Sequence, residues 1–233
     1  MPFEIFFRKL ISLILRLTCK IDLIGIENVP AEGKCIHAAN HIGRLDATLV
    51  YHLIDRRDII LTPAEKYSKV AFFRWAAKSL NAIFLDRFNP DIGTLRAVMK
   101  RLQNGGLLAI APEGTRSKSG TLIDGQPGTA YLAAKTRAPI LAVALMGTED
   151  RRVLENLRKL RRSSVRVVIG KPFLLPPLDA KKRDEQLHQS TEEIMCQIAA
   201  LLPNSYHGVY ADNPRIAAIR SEIEKTQMTT DEC

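Results

Sequence analysis

Long uninterrupted apolar runs are missing from this 233-residue chain, and with them the stretch of roughly 20 residues that a membrane-crossing helix requires. Aromatic residues make up only 6% of the sequence, and nowhere do they interleave with basic residues as a single-strand nucleic-acid platform would need. The four cysteines, at 19, 35, 196 and 233, show no Cys-x-x-Cys spacing, which argues against zinc ribbons and thioredoxin-like redox sites. Thiols so widely scattered suit a reducing compartment. None of the five histidines (37, 41, 52, 188, 207) falls in a His-x-x-x-His pair on a helix, so no metal is expected. The Gly-x-Ser-x-Gly of a nucleophile-elbow esterase is absent as well. Tyr131-x-x-x-Lys135 has the spacing of short-chain dehydrogenases, but the early Gly-x-x-x-Gly-x-Gly that must accompany it does not occur.

Acidic residues are outnumbered, 25 against 34 basic, giving a formal charge of +9. Such an excess draws a protein to polyanions. With so few aromatics, lipid headgroups or phosphorylated substrates are favoured over nucleic acid. Hydrophobic content of 46% and charged content of 25% describe an ordinary folded chain, long enough for one α/β domain.

Residues 1–19 read as an amphipathic helix. Glu4, Arg8, Ser12, Arg16 and Lys20 recur every four residues, and Phe3, Phe6, Phe7, Leu10, Leu13 and Leu17 help fill the rest of the circumference. The expectation is a helix lying in a membrane interface, which makes membrane lipids a partner and the protein peripheral. Packing on the domain's own core is the competing reading. Residues 20–212 then form the main domain. Strands are predicted at 21–29, 35–39, 58–62, 82–85, 107–111, 140–145 and 165–169, and helices at 47–54, 69–80, 91–103, 128–136 and 191–202. Strands alternating with helices predict a mostly parallel central sheet flanked by helices. The basic run 150–162 reads as a solvated face or an anionic-lipid contact. Residues 213–233 are expected to hold a C-terminal helix and a polar, fraying tail.

Asn40-His41-Ile42-Gly43-Arg44-Leu45-Asp46 falls between a buried strand and a helix, a place where scaffolds present reactive side chains. A His with a carboxylate five residues on can act as a general base, the acid fixing the tautomer and stabilising the imidazolium. Asp46 could equally cap the following helix, and His41 could be a satisfied polar residue. Downstream, Pro112-Glu113-Gly114-Thr115-Arg116-Ser117 follows a buried strand and has the makings of an anion-binding loop. Its Gly permits close backbone approach, and Arg116 offers a two-pronged donor.

Taken together these stretches resemble the glycerolipid acyltransferase family, which includes the 1-acylglycerol-3-phosphate acyltransferases. Asn81-Ala82-Ile83-Phe84-Leu85-Asp86-Arg87 is similar to that family's second block and Ala138-Pro139-Ile140-Leu141-Ala142-Val143 to its fourth, in the family's order. Asn81 stands where the family often has Gly, Ala111 where it often has an aromatic, and Ala142 where it often has a second Pro. The resemblance implies His41 and Asp46 as catalytic residues. It implies Asn40, Arg87, Glu113, Gly114, Thr115, Arg116 and Pro139 as substrate-binding, with Glu113 either bracing its loop or meeting the glycerol. The implied reaction is direct acyl transfer from acyl-CoA or acyl carrier protein, as co-substrate rather than cofactor, to the hydroxyl of a lysophospholipid, on the cytoplasmic face of a membrane. A different lysolipid acceptor, or a non-enzymatic polyanion binder, is the alternative.

Overall fold

The computed structural model describes residues 2–80, 82–86 and 91–231. Helix α1 (Pro2–Thr18) runs without a loop into strand β1 (Cys19–Ile24). The strand starts earlier than its alternation suggests and ends at Ile24. There Gly25 turns left-handed at φ 79°, and any Cβ would meet the Ile169 carbonyl oxygen at 2.1 Å.

β2 (Cys35–Ala39) and α2 (Asp46–Leu53) flank the His41 connection. After β3 (Ile59–Leu61) comes a 3-10 turn, Glu65–Lys69, and the helix expected over 69–80 forms as α3 (Ala71–Ser79). The strand expected at 82–85 is reduced to a bridge between Ala64 and Leu85. Ile83 and Leu85 still donate to the carbonyls of Leu61 and Pro63, so the segment follows the edge of β3 without building a ladder.

The remaining elements follow in order. They are α4 (Ile92–Gln103), capped by the Asp91 carboxylate on the Thr94 N–H, β4 (Leu107–Ile110), α5 (Gly128–Thr136), β5 (Ile140–Met146), α6 (Asp150–Arg158) and β6 (Ser163–Ile169). Then come α7 (Arg183–Leu201), which begins well before residue 191, and α8 (Pro214–Asp231), which carries the expected tail onward as helix.

The six strands form one sheet in the order β1-β6-β5-β2-β4-β3. Every neighbouring pair is parallel except β5–β6, so the single α/β domain has the mostly parallel sheet its sequence predicts. Alternate side chains serve opposite layers. Ile36, Ala38, Leu108, Ile140 and Ala142 pack with α4, α5, α7 and α8. Cys35, Ala39, Leu107, Leu141 and Val143 pack with α2 and with Ile11 and Leu15 of α1. Both faces are covered, which is why these strands read as continuous apolar runs.

α1 packs on the domain through only part of its surface. Leu15 is fully buried, and Arg8 donates to the carbonyls of Tyr51, Ile54 and Arg56. Leu10, Leu13, Ile14 and Leu17 on the same helix are exposed.

At the sheet's N-terminal end the buried guanidinium of Arg56 donates to the carbonyls of Pro30, Gly33 and Gly105 and pairs with Asp58. One side chain thus fastens three loops there. The opposite, C-terminal end is left for the site. The chain leaves β2 toward α2 on one face and leaves the adjacent β4 toward α5 on the other, and this divergence opens a crevice at the strand ends.

Candidate active site

The crevice is organised on His41. Its Nδ1 lies 2.8 Å from Oδ2 of Asp46, and the same oxygen accepts the backbone N–H groups of Ile42 and Gly43 at 2.8 Å each. Asp46 is in the first turn of α2, its carboxylate folded back over the connection and almost wholly buried. A carboxylate fixed by two N–H donors holds the ring with Nδ1 protonated, which leaves the Nε2 lone pair free to take a proton. The tight path of the connection depends on Gly43. A Cβ there would lie 1.7 Å from the carbonyl oxygen of Thr148.

The loop 112–117 grips the backbone of His41 from both sides. Oε1 of Glu113 accepts the His41 N–H at 3.1 Å, and the Ser117 N–H donates to the His41 carbonyl at 2.8 Å. Two motifs some seventy residues apart in sequence thus meet at one residue. Glu113 is 1% exposed, and burial pushes its carboxyl up to about 8; the His41 N–H offsets this in part, and the negative charge of Asp46 adds to it. Through that bond Glu113 braces the His41 backbone.

His41 and Asp46 open onto a cavity of about 660 Å³. Its sheet side is made by His37, Ala39, Leu61, Ala109 and Ala111, and its far wall by residues of the 63–84 segment, including Tyr67, Leu80 and Phe84. Small side chains at Ala39, Ala47, Ala109 and Ala111 make the room. His37 is 2% exposed, and burial lowers its pKa to about 4, so this ring is neutral and adds no charge to an apolar chamber. Arg44 and Arg116 also line the cavity, and both reach Asp150 at the start of α6. The Arg116 guanidinium is 3.2 Å from the Asp150 carboxylate, which also accepts the Arg44 backbone N–H at 2.8 Å.

Not every sequence-predicted residue is placed as expected. Asn40 lines the cavity, but its amide is spent on the backbone of Leu145, donating to the carbonyl at 2.9 Å and accepting the N–H at 2.7 Å. It clamps β2 to β5. Pro139 precedes β5 at the other end of the sheet, where its carbonyl accepts the Ile36 N–H, and it does not line the cavity. Thr115 is exposed and does not line it either, while buried Gly114 turns the loop at φ 69°. Asn81 and Arg87 lie outside the described residues, as do the side chains of Phe3, Phe6, Phe7, Phe72 and Phe73. Arg44 was missed, although it stands inside the His41–Asp46 stretch. Asp150 carries no local sign of its partners. Among the described residues no group of three or more His, Cys, Asp or Glu could hold a metal ion, and no helix is long and apolar enough to cross a membrane.

The fold recurs in a solved structure, and much of the sequence is similar to named relatives. A chloroplastic 1-acyl-sn-glycerol-3-phosphate acyltransferase of Brassica napus is 31% identical over 163 residues, 66% of this chain and 45% of the relative. The enzyme of that name from Bacillus subtilis is 23% identical over 195 residues, covering 82% of this chain and 92% of the relative. The chain spans about half the length of the Brassica napus and Arabidopsis thaliana relatives it matches. The crystal structure of the 1-acyl-sn-glycerophosphate acyltransferase PlsC from Thermotoga maritima shares the fold. Its TM-score is 0.59 at 24% identity, over 80% of this chain and 77% of that one. The family model described as Acyltransferase matches residues 20–146, a span that takes in the His41–Asp46 pair and the loop that grips it, and the chain belongs to that family.

Proposed function

We propose that this chain transfers a fatty acyl group from a thioester carrier, acyl-CoA or acyl carrier protein, to the free hydroxyl of 1-acylglycerol-3-phosphate, giving phosphatidic acid. The observation that carries the reading is the His41–Asp46 pair at the mouth of an apolar chamber, held by the arginine-bearing loop. The 1-acyl-sn-glycerol-3-phosphate acyltransferases among its relatives favour that acceptor.

In this mechanism Nε2 of His41 takes the acceptor's hydroxyl proton as the oxygen attacks the thioester carbonyl. The tetrahedral intermediate collapses, the C–S bond breaks, and the imidazolium returns its proton to the departing thiolate. Asp46 stays ionised throughout and stabilises the charged ring. Arg116 and Arg44 hold the acceptor phosphate, with Arg87 assigned as a further phosphate ligand by its motif, so that the hydroxyl is presented to the carbonyl. The acyl chain occupies the chamber. No cofactor or metal enters the scheme. The exposed apolar row of α1 is assigned to the membrane interface, which makes the protein peripheral, on the cytoplasmic face.

Thiol release from acyl-CoA, measured against a panel of lysolipids, tests both reaction and acceptor. Folded His41→Ala should lose at least about a hundredfold in rate. Retention of more than that fraction would remove the base role, and activity confined to another lysolipid would change the acceptor.

A further inference from the structure

The end of α6 departs from what helix chemistry prefers. The N–H of Arg161 donates to the carbonyl of Asn156 and the N–H of Leu160 to that of Leu157, the bond pair of a Schellman C-terminus. Its left-handed position normally carries Gly. Here it carries Leu160 at φ 50°, a conformation that costs a side-chain-bearing residue steric strain, and that side chain is 94% exposed. Leu154 and Leu157 on the same helix are 47% and 50% exposed. Around them stand Arg151, Arg158 and Arg161, and residues 150–162 hold six basic side chains against two acidic ones. Of the two acids, Asp150 faces the cleft arginines and Glu155 pairs with Arg151.

Both ends of this helix are fixed to features already described. Beyond its C-terminus, the Arg162 side chain donates to the carbonyl of Cys19, where α1 passes into β1 and two residues after exposed Leu17. Its N-terminal Asp150 is bonded to Arg44 and Arg116 at the cavity mouth. The helix is nine residues long. It therefore spans about 14 Å, between the α1–β1 junction and the cleft.

We infer that α6 is a bilayer-docking element: Leu154, Leu157 and Leu160 enter the acyl boundary of an anionic leaflet while the surrounding arginines meet lipid phosphates, holding the cavity mouth against the membrane. Leucines ringed by exposed cations match the headgroup–acyl boundary on both counts. A nucleic acid would use the cations and leave the leucines idle. The inference stands apart from the acyl-transfer reading, because its test reads binding alone.

The test is co-sedimentation of the full chain with mixed phosphatidylglycerol–phosphatidylcholine vesicles, alongside thermal unfolding without lipid. Leu160→Gly should hold or raise the unfolding midpoint, since Gly suits the left-handed position, yet weaken vesicle partition. Leu154→Ser/Leu157→Ser/Leu160→Gly, if folded, should weaken partition by about tenfold or more. A lowered midpoint for Leu160→Gly would show that the side chain packs within the protein and would overturn the inference. So would partition that falls with Arg158→Glu/Arg161→Glu but is untouched by the leucine variants, which is the signature of a bare electrostatic patch.

Discussion

Replacing Glu113 by Gln gives the sharpest reading of the loop that braces His41. The carboxyl is buried, and its pKa of about 8 lies far above the 4.5 of a free side chain. Between those two values the folded protein keeps this group protonated while the unfolded chain has it ionised. The native state then binds more protons, so stability falls as pH rises, by up to about 1.4 kcal/mol per pH unit, and the fall levels off above about 8. Gln keeps an oxygen to accept the His41 N–H and cannot titrate. From pH 5.5 to 8.5 the variant should therefore gain about 3 kcal/mol relative to the parent, and it should retain acyl transfer at the acid end. Urea unfolding followed by far-UV circular dichroism at both pH values measures this, with the urea slope checked for constancy. Parallel pH profiles for parent and variant would refute the reasoning, because they would show Glu113 ionised in the fold. Glu113→Ala removes the acceptor altogether, and leaving the His41 N–H without a partner should cost about 1–3 kcal/mol relative to Glu113→Gln at every pH.

Three further outcomes are expected. Asp46→Asn should leave the fold in place and lower kcat by about 10²–10⁴ in the thiol-release assay, since the ring loses its charged partner. Gly43→Ala, whose Cβ would be driven into the Thr148 carbonyl, should destabilise by at least about 2 kcal/mol, whereas Gly128→Ala, with open space around it, should not; urea unfolding compares the two. Ala109→Leu should crowd the chamber and shift donor preference toward shorter chains at about 0.8 kcal/mol per methylene excluded, read as kcat/KM across a series of acyl-CoA lengths.

What could be read in advance follows from how local each cause is. The strands 107–111 and 140–145 announce themselves because burial on both faces leaves no polar interruption, and 35–39 is interrupted only by His37. The stretch from His41 to Asp46 carries its ring–carboxylate pairing within a few residues of chain. The segment at 82–85 has a strand's composition, but whether it becomes one depends on how far β3 extends beside it, and Pro63 offers no N–H there. The first two turns of α7 are polar apart from Leu187 and carry no periodicity, so packing rather than pattern sets where that helix begins. Asn40 reads as a ligand because it adjoins His41 in the motif, yet its amide is used by a strand 105 residues away. The same distance hides Asp150 from Arg44, 106 residues earlier, and only the fold brings them together.

The carboxylate between Arg44 and Arg116 makes the cleft a site that carries its own counterion. If this cleft holds the acceptor phosphate as proposed, an arriving dianion does not meet two bare guanidinium groups; it must exchange places with Asp150, and the local charge then changes by less than a count of arginines implies. Affinity then rests on the extra oxygen and extra charge that phosphate offers over a carboxylate, and singly charged competitors are turned away. Ionic strength should weaken substrate capture less than the protein's overall basicity would suggest.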